Sequence, residues 1–176
     1  MDLRPKDLGP IDLGQIDLRL ATAGDFAFIR ALAQRPENRA FITDEDETAL
    51  AAYVSAPDCR LLIAEENGTA MGYALFCEIG DPSGRTELRR LALAVTDGGR
   101  GRAFVGQLIR YGFDRLQARR LWLDASGENP RAMALYEKLG FRREGVQREH
   151  WYRPDIGRAV DLHLFGLMRG DWQEAG

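Results

Sequence analysis

A turn rich in glycine and arginine joins a predicted strand that ends at Val95 to a predicted helix, residues 104–116. In such a unit, backbone N–H groups at the helix N-terminus have no partners within the helix and can face an anion. Glycine permits positive φ angles and close approach of a phosphate. A short apolar strand, residues 121–124, follows the helix. A strand–helix–strand crossover of this length predicts that the two strands are parallel.

The other apolar segments indicate that most of the sheet is antiparallel. Six runs have the composition or alternation of strands: residues 16–20, 60–64, 70–79, 87–95, 141–147 and 159–168. Asn67-Gly68 is a strong signal for a two-residue hairpin between the second and third runs. The DPSG sequence at residues 81–84 predicts a turn before the fourth run. Three successive strands therefore form a meander before the glycine-rich turn.

Two helices are predicted after the first strand. Asp25 is placed to cap a helix that runs through Leu32, and Pro36 ends it. The second helix begins near Asp44 or Asp46. Together with the meander and the crossover, these helices predict an α/β fold with one mixed, mostly antiparallel sheet and helices on both faces.

The last predicted helix carries the strongest end signals in the chain. Asn129 can cap it, Pro130 occupies its first position, and Gly140 follows its C-terminus. One face of this helix is apolar and includes Tyr136. The helix therefore packs on the sheet, with Tyr136 on the side that is either core or site.

Composition excludes several classes of function. The chain has 176 residues and a net charge of −3, values that fit one soluble domain and argue against a general nucleic-acid binder. Cys59 and Cys77 lie in apolar runs and are predicted to be core residues of a reduced, cytoplasmic protein. His150 and His163 lack metal-ligand spacing, so no metal site is predicted.

The domain boundaries follow from the same patterns. Residues 1–14 contain a short internal echo with two prolines and are predicted to be a flexible arm. Residues 15–172 are predicted to form the single domain, and residues 173–176 a tail. No apolar run reaches the ~18 residues of a membrane span, and charged residues interrupt any signal-peptide pattern at the N-terminus. No membrane partner is expected.

Two familiar phosphate-binding loops do not fit the glycine-rich turn. A nucleotide-binding P-loop requires lysine and a hydroxyl residue after its last glycine, where this chain has Gln107 and Leu108. A dinucleotide-binding loop that begins at Gly99 would require a third glycine where Phe104 stands. The sequence therefore predicts neither NTP hydrolysis nor dinucleotide binding.

A third loop type fits better when the rest of the chain is considered. GGRGRA at residues 98–103 resembles the [QR]-x-x-G-x-[GA] pyrophosphate loop of the GNAT superfamily of N-acetyltransferases, although Gly98 stands where Gln or Arg is usual. NPRAMALYEKLGF at residues 129–141 closely resembles the N-x-x-A-x-x-L-Y-x-x-x-G-F segment of that superfamily. The resemblance covers about residues 16–172 and looks nearest to the branch that acetylates the N-termini of ribosomal proteins.

The resemblance implies a GNAT-like domain that binds acetyl-CoA where a parallel strand pair splays apart. The strand before the loop would bind the pantetheine arm, the loop would bind the pyrophosphate through backbone N–H groups and arginines, and the helix-capping asparagine would contact the cofactor. These cofactor-binding residues are Leu91, Ala92, Leu93, Gly98, Gly99, Arg100, Gly101, Arg102, Ala103, Asn129 and Tyr136. A shift of one or two residues in the strand register stays open.

The resemblance also implies acetyl transfer to a primary amine by direct attack in a ternary complex. Tyr136 would protonate the leaving thiolate, as the family places a tyrosine here. An amine with a pKa near ~10 is mostly protonated at neutral pH, so a base must accept its proton. Two carboxylates are candidates, Asp124 at the end of its strand and Glu87 at the start of another.

The acceptor is expected to be a protein N-terminus or a small amine. Its pocket would lie between residues 35–53, where residues 44–47 are acidic, and residues 148–158, where His150, Trp151 and Tyr152 could form a wall. A non-catalytic acyl-CoA-binding regulator is the alternative function. It would keep the loop but could dispense with Tyr136 and the carboxylates. The sequence leaves open whether the protein forms a homodimer.

Overall fold

Seven strands form the central sheet in a computed structural model that describes residues 16–174. In chain order they are β1 (Ile16–Leu20), β2 (Arg60–Glu66), β3 (Thr69–Cys77), β4 (Arg85–Leu93), β5 (Arg120–Ser126), β6 (Arg142–Arg153) and β7 (Arg158–Met168). The strand order across the sheet is β1-β2-β3-β4-β5-β7-β6. β4 and β5 run parallel, and the other neighbouring strands run antiparallel. The predicted mixed sheet is therefore confirmed, and the predicted N-terminal arm lies outside the described residues.

Within the described part of the chain, six α-helices cover the sheet: α1 (Phe26–Ala33), α2 (Pro36–Arg39), α3 (Glu47–Ser55), α4 (Arg100–Arg110), α5 (Pro130–Lys138) and α6 (Arg169–Glu174). Successive side chains of a strand point to opposite faces. Leu62 of β2 accordingly joins the buried cluster under α4 and α5, whereas Ile63 joins the cluster under α1 and α3. The predicted helices on both faces are thus confirmed, and we refer below to the α4/α5 face and the α1/α3 face.

Several predicted ends are corrected by the structure. β4 ends at Leu93 rather than at Val95, and α4 begins at Arg100 rather than at Phe104. The reason is that Gly99, with φ of 79°, serves as the N-cap, so the helix starts within the glycine-rich turn. After Arg110 the chain continues as a π-helical turn, which ends one residue before the predicted Leu116.

The first three helices also differ in detail from the prediction at their N-terminal ends. Asp25 does not cap α1 with its side chain; its carboxylate accepts a hydrogen bond from the Thr22 N–H at 2.8 Å, at the start of a preceding 3₁₀ turn. Pro36 opens the short helix α2, because proline suits the first helical position. Asp46 caps α3 and accepts a hydrogen bond from the Ala49 N–H at 2.9 Å, which confirms one of the two predicted starts.

The structure confirms the predicted hairpin at Asn67-Gly68 and the predicted burial of the two cysteines. Asn67 and Gly68 both have positive φ angles, 53° and 74°, as a two-residue hairpin between twisted strands requires. Cys59 and Cys77 are buried free thiols whose sulfur atoms lie 3.4 Å apart. Both therefore belong to the core, as their apolar surroundings indicated.

The feature that positions the site is the short contact between β4 and β5. Their parallel pairing joins only Arg85–Glu87 to Arg120–Trp122, and the two strands separate beyond it. Arg89 is an extra residue in β4, since Leu75 pairs with Arg90 but Phe76 pairs with Leu88. A bulge of this kind bends the strand and increases its twist. The far half of β4 consequently turns away from β5 and leaves a gap in the sheet.

Close packing beside this gap leaves no room for a side chain at Gly72. Gly72 pairs with Leu93, and a Cβ on Gly72 would lie 2.6 Å from the Ala92 carbonyl oxygen and 2.6 Å from Leu93 Cδ2. We expect Gly72→Ala to lower the free energy of unfolding by about 1–3 kcal/mol, measured by urea denaturation. Gly145→Ala, in β6 with open space around the new methyl group, is the matched control. Equal stability of the two variants would contradict the prediction.

Candidate active site

A cleft of about 1230 Å³ opens where β4 and β5 separate. Its walls come from the far half of β4, the glycine-rich turn, the N-terminal part of α4, one side of α5, the end of β5, the segment around α2, and β6. The cleft therefore crosses the sheet and is lined both by the glycine-rich turn and by the α2 segment. Among residues 16–174, no group of three or more His, Cys, Asp or Glu side chains could hold a metal ion. Within the same part of the chain, no helix is long and apolar enough to cross a membrane.

The glycine-rich turn presents backbone donors to the cleft. Gly98, Gly99 and Gly101 line it, and Gly98 and Gly99 have φ angles of 60° and 79°. Positive φ angles suit glycine, which is why the sequence can start α4 so abruptly here. The N–H groups of Gly101 and Arg102 lie in the first turn of α4, where an α-helix offers them no carbonyl partner. Such a helix start attracts an anion.

The two arginines of the turn have different surroundings. Arg102 lines the cleft, and its Nε and Nη2 atoms are buried with no hydrogen-bond partner among the described residues. Arg100 lies outside the cleft lining, and its guanidinium pairs with Glu66 at 3.4 Å and with Asp97 at 3.5 Å. Ala103 also lies outside the lining. Of the two predicted charge partners, the structure therefore brings only Arg102 to the cleft.

The three strand residues predicted to bind the pantetheine arm line the cleft together. Leu91, Ala92 and Leu93 all belong to the part of β4 that β5 does not pair. β4 forms its ladder with β3 on the other edge, so the edge that faces the gap keeps free backbone N–H and C=O groups. An extended ligand could pair with this edge as a further strand would.

Asn129 stands where α5 meets the cleft. Its side-chain oxygen accepts a hydrogen bond from the Ala132 N–H at 3.1 Å, which confirms its predicted role as N-cap. Asn129 also lines the cleft. The capping role and a contact with a ligand are therefore compatible.

Tyr136 belongs both to the core and to the cleft. It is 6% exposed, and its ring packs edge-on against Phe141 at 5.9 Å and Phe165 at 5.7 Å between ring centroids. The residue nevertheless lines the cleft. Burial, and secondarily the charge of Asp124, raise the pKa of the Tyr136 hydroxyl well above its usual value, so the group stays protonated. A protonated hydroxyl in this position can donate a proton.

Asp124 lies on β5 at the floor of the cleft. Leu123 and Ala125 point into the core on the α4/α5 face, so Asp124 points to the α1/α3 face. Solvent reaches its side chain through the cleft, yet the surrounding protein displaces enough water to raise the pKa of the carboxyl. The charges of Arg90, His150 and Arg89 oppose that rise. Asp124 is therefore a carboxylate with raised basicity in a wet cleft.

Glu87, the other candidate base, is placed differently. It is 7% exposed, lies inside the paired part of β4 and β5, and is absent from the cleft lining. Arg89 holds its carboxylate through contacts of 2.5 Å and 2.7 Å. The structure thus brings Asp124 and Tyr136 to the cleft and leaves Glu87 outside it, engaged by its own counter-charge.

A wide bulge in β6 contributes to the wall of the cleft. Gln147 pairs with Leu162 but Trp151 pairs with Val160, so β6 has two extra residues between these pairs. Glu149, with φ of 48°, anchors the bulge by donating its N–H to Asp161 Oδ1 at 2.8 Å. Bulges redirect side chains next to active sites. His150 and Trp151 line the cleft as predicted, whereas Tyr152 points to solvent.

Three of the four acidic residues at positions 44–47 have local partners. Asp44 pairs with Arg30 at 3.3 Å, Asp46 caps α3, and Glu45 accepts a hydrogen bond from the Tyr53 hydroxyl at 3.1 Å. None of these acidic residues lines the cleft. The rim on this side is instead formed by Glu37, Asn38, Phe41, Ile42 and Thr43.

Three arginines that line the cleft were not predicted from the sequence: Arg89, Arg90 and Arg131. Arg131 lines the cleft beside the glycine-rich turn and donates from Nη2 to the Thr96 carbonyl at 3.1 Å. It lies inside the NPRAM segment, but a variable position there carries no signal of its own. Arg90 lines the cleft because the bulge at Arg89 shifts the alternation of β4, and no pattern in the sequence marks that bulge.

The sequence of this chain matches a known protein family. Residues 26–141 match the family described as "Acetyltransferase (GNAT) family". An uncharacterized N-acetyltransferase, p20, of Bacillus licheniformis is 30% identical over 113 residues, which cover 63% of this chain and 62% of that protein. The chain thus spans less than two thirds of this relative. The N-alpha-acetyltransferase RimI of Mycobacterium tuberculosis is 28% identical over 131 residues, covering 71% of this chain and 82% of the relative.

Solved structures show the same fold. Spermidine N-acetyltransferase from Vibrio cholerae, in complex with CoA and spermine, has a TM-score of 0.80 at 21% identity, over 90% of this chain and 98% of that one. A dodecameric structure of the V. cholerae spermidine N-acetyltransferase, in an intermediate state, has a TM-score of 0.75 at 24% identity, over 90% of this chain and 96% of that one. Likeness at this identity shows the fold alone. The match over residues 26–141 goes further: the chain belongs to the acetyltransferase (GNAT) family.

Proposed function

We propose that this protein is an acetyl-CoA-dependent N-acetyltransferase that acetylates a primary amine by direct attack in a ternary complex. The observation that carries the proposal is the single cleft that joins an anion-binding helix start to Asp124 and Tyr136. A phosphate-bearing acyl donor and an amine can meet in such a cleft from opposite faces of the sheet. Direct attack then needs only a base, an acid and groups that hold the donor in place.

The residues of the cleft fit the acyl donor. The pyrophosphate of CoA would lie against the N–H groups of Gly101 and Arg102, with the under-paired Arg102 guanidinium as charge partner. The free edge of β4 at Leu91, Ala92 and Leu93 would bind the pantetheine amides. When bound, acetyl-CoA supplies the activated acetyl group, and free N–H groups on this edge are suited to polarise its carbonyl.

Two side chains would move the protons. Asp124 would accept a proton from the acceptor ammonium, directly or through water, and so release the nitrogen lone pair for attack. Tyr136, kept protonated by burial, would donate its hydroxyl proton to the departing thiolate. A regulator that only binds acyl-CoA has no need of this acid–base pair, which favours the enzyme.

The acceptor is a protein N-terminus or a small amine in this proposal. RimI, among the relatives, is an N-alpha-acetyltransferase, and the V. cholerae neighbours are spermidine N-acetyltransferases. The α2 segment and the β6 bulge form the half of the cleft that is left for the acceptor once the donor lies along β4 and α4.

A binding and turnover experiment tests the proposal. We expect acetyl-CoA to raise the melting temperature of the protein. We also expect acetyl transfer to an amine to release free CoA, which is detected through its thiol. We expect Arg102→Gln to weaken acetyl-CoA binding by about 10- to 100-fold, because a charge-assisted hydrogen bond is lost. Arg100→Gln is the matched control, since that guanidinium pairs with Glu66 outside the cleft. Tight binding without thiol release for any amine would support the regulator instead.

A further inference from the structure

Among residues 16–174, the acceptor half of the cleft offers a single free carboxylate at its floor. Four carboxylates of these residues line the cleft: Glu37, Asp97, Asp124 and Glu128. Glu128 is bound by Arg153 and Arg158, Asp97 belongs to the glycine-rich turn beside Arg100, and Glu37 is exposed at the rim. Asp124 is thus the one placed to receive an ammonium group at the centre. For its remaining charges, a polycationic acceptor would find among these four carboxylates only Glu37, which is exposed at the rim.

The guanidinium of Arg90 lies on the same face of the sheet as Asp124. The bulge at Arg89 shifts the alternation of β4, so Leu91 packs on the α4/α5 face whereas Ala92 packs on the α1/α3 face. Arg90 shares the face of Ala92, and Asp124 also points to that face. The charge of Arg90 acts on Asp124 across the gap between the two strands.

Only part of the hydrogen-bond donors of Arg90 have partners among the described residues. Within the described residues its Nη1 donates to the neighbouring Arg89 carbonyl at 2.9 Å, and its Nη2 lies 3.8 Å from Glu45 Oε1, which is beyond hydrogen-bond distance. Its Nε is buried with no hydrogen-bond partner in that part of the chain. A guanidinium has five donors in a planar fork that matches a carboxylate, and a buried unpaired donor is unfavourable.

We propose, on the basis of the acetyltransferase function proposed above, that the acceptor is a primary amine with a carboxylate a few bonds away. The amine would lie at Asp124 and the carboxylate would pair with Arg90, which is a specificity-determining residue. Asp124 and Arg90 together are complementary to a zwitterion. A free amino acid has this chemistry through its α-carboxylate, and a peptide has it when its first residue is Asp or Glu.

Matched acceptors test the inference. Thiol release is measured with L-leucine and L-methionine against their α-amides, with Glu-Ala-Ala-amide against Gln-Ala-Ala-amide, and with spermidine. We expect Arg90→Gln to raise KM for the carboxylate-bearing acceptors by about 10- to 100-fold and to leave KM for acetyl-CoA and for the amides unchanged. Arg90→Lys should keep part of the preference, and Arg110→Gln, on the exposed end of α4, is the control.

The two peptide arms and the amino-acid arm separate the two sources of carboxylate. A preference confined to free amino acids identifies the α-carboxylate, and a preference confined to the Glu peptide identifies the side chain. Equal use of acids and amides, a preference for spermidine, or an equal rise of KM for acids and amides in Arg90→Gln would overturn the inference.

Calorimetry with the CoA-bound enzyme distinguishes this inference from the proposed function. The same acceptors are titrated into that complex, where no acetyl transfer occurs. Binding of the carboxylate-bearing probes that is lost in Arg90→Gln supports the inference even if no acceptor is acetylated. Acetylation of amides and spermidine alone supports the activity and overturns the inference. An absence of binding and of turnover with every probe overturns both.

Discussion

Replacement of Asp124 by asparagine is expected to lower kcat by about 10²- to 10⁴-fold at pH 7.5, the range typical for loss of a general base. An amide of the same shape cannot accept the proton that the acceptor ammonium must lose before attack. The constants kcat and KM are measured by thiol release with saturating acetyl-CoA. We expect KM for acetyl-CoA to stay the same, because Asp124 lies on the α1/α3 face, away from the glycine-rich turn.

The pH dependence of the wild-type enzyme gives a second measurement of the same role. Burial raises the pKa of Asp124, so the acid limb of kcat/KM should lie above the usual aspartate value of ~3.9 and should disappear in the asparagine variant. A raised pKa in the folded state means that stability is lost as pH rises through that pKa. Asp124→Asn should therefore not lower the melting temperature at neutral pH. An unchanged melting temperature would exclude unfolding as the cause of lost activity.

Glu87→Gln is the matched control among the candidate bases. It removes the counter-charge of Arg89, so the folded state should be destabilised, while kcat per folded molecule should change little. The opposite pattern, with turnover lost in Glu87→Gln and kept in Asp124→Asn, would show that Glu87 is the base.

Local signals in the sequence were sufficient to predict the fold. Asn67-Gly68 defines a hairpin through backbone conformation alone, and Asn129, Pro130 and Gly140 define both ends of α5 through hydrogen bonding and steric fit. Such features depend on neighbours in sequence and can be read from it. The start of α4 was misplaced because glycines usually favour turns, whereas here Gly99 caps a helix that already includes Gly101.

The site was harder to predict because its geometry depends on pairing between strands distant in sequence. The bulge at Arg89 is a property of the β3–β4 register, and it decides that Arg90 lies on the same face as Asp124. Partner choice is equally non-local: Arg100 pairs with Glu66, which lies 34 residues earlier, so it is outside the cleft while Arg102 lines it. From residue type alone, Arg100 and Arg102 were equally good candidates for binding a phosphate, and only the fold distinguishes them.

Tyr136→Phe is expected to lower kcat by about 10²- to 10³-fold while leaving the affinity for acetyl-CoA nearly unchanged. The variant removes only the hydroxyl that would protonate the leaving thiolate. The pKa of that hydroxyl is raised mainly by burial, so the wild-type group remains a proton donor throughout the neutral pH range. Turnover is measured at saturating substrates, and acetyl-CoA binding is measured by calorimetry.

Packing makes the phenylalanine variant a clean probe of Tyr136. The edge-on contacts with Phe141 and Phe165 involve the ring and are retained in Tyr136→Phe, so the melting temperature should hardly change. Tyr136→Ala is the contrasting variant, because loss of a buried ring should cost about 3–5 kcal/mol of stability. If Tyr136→Phe keeps full turnover at saturating substrates, the tyrosine is only a core residue and another group, or water, protonates the thiolate. Loss of activity in the stable phenylalanine variant would instead assign the proton to the hydroxyl.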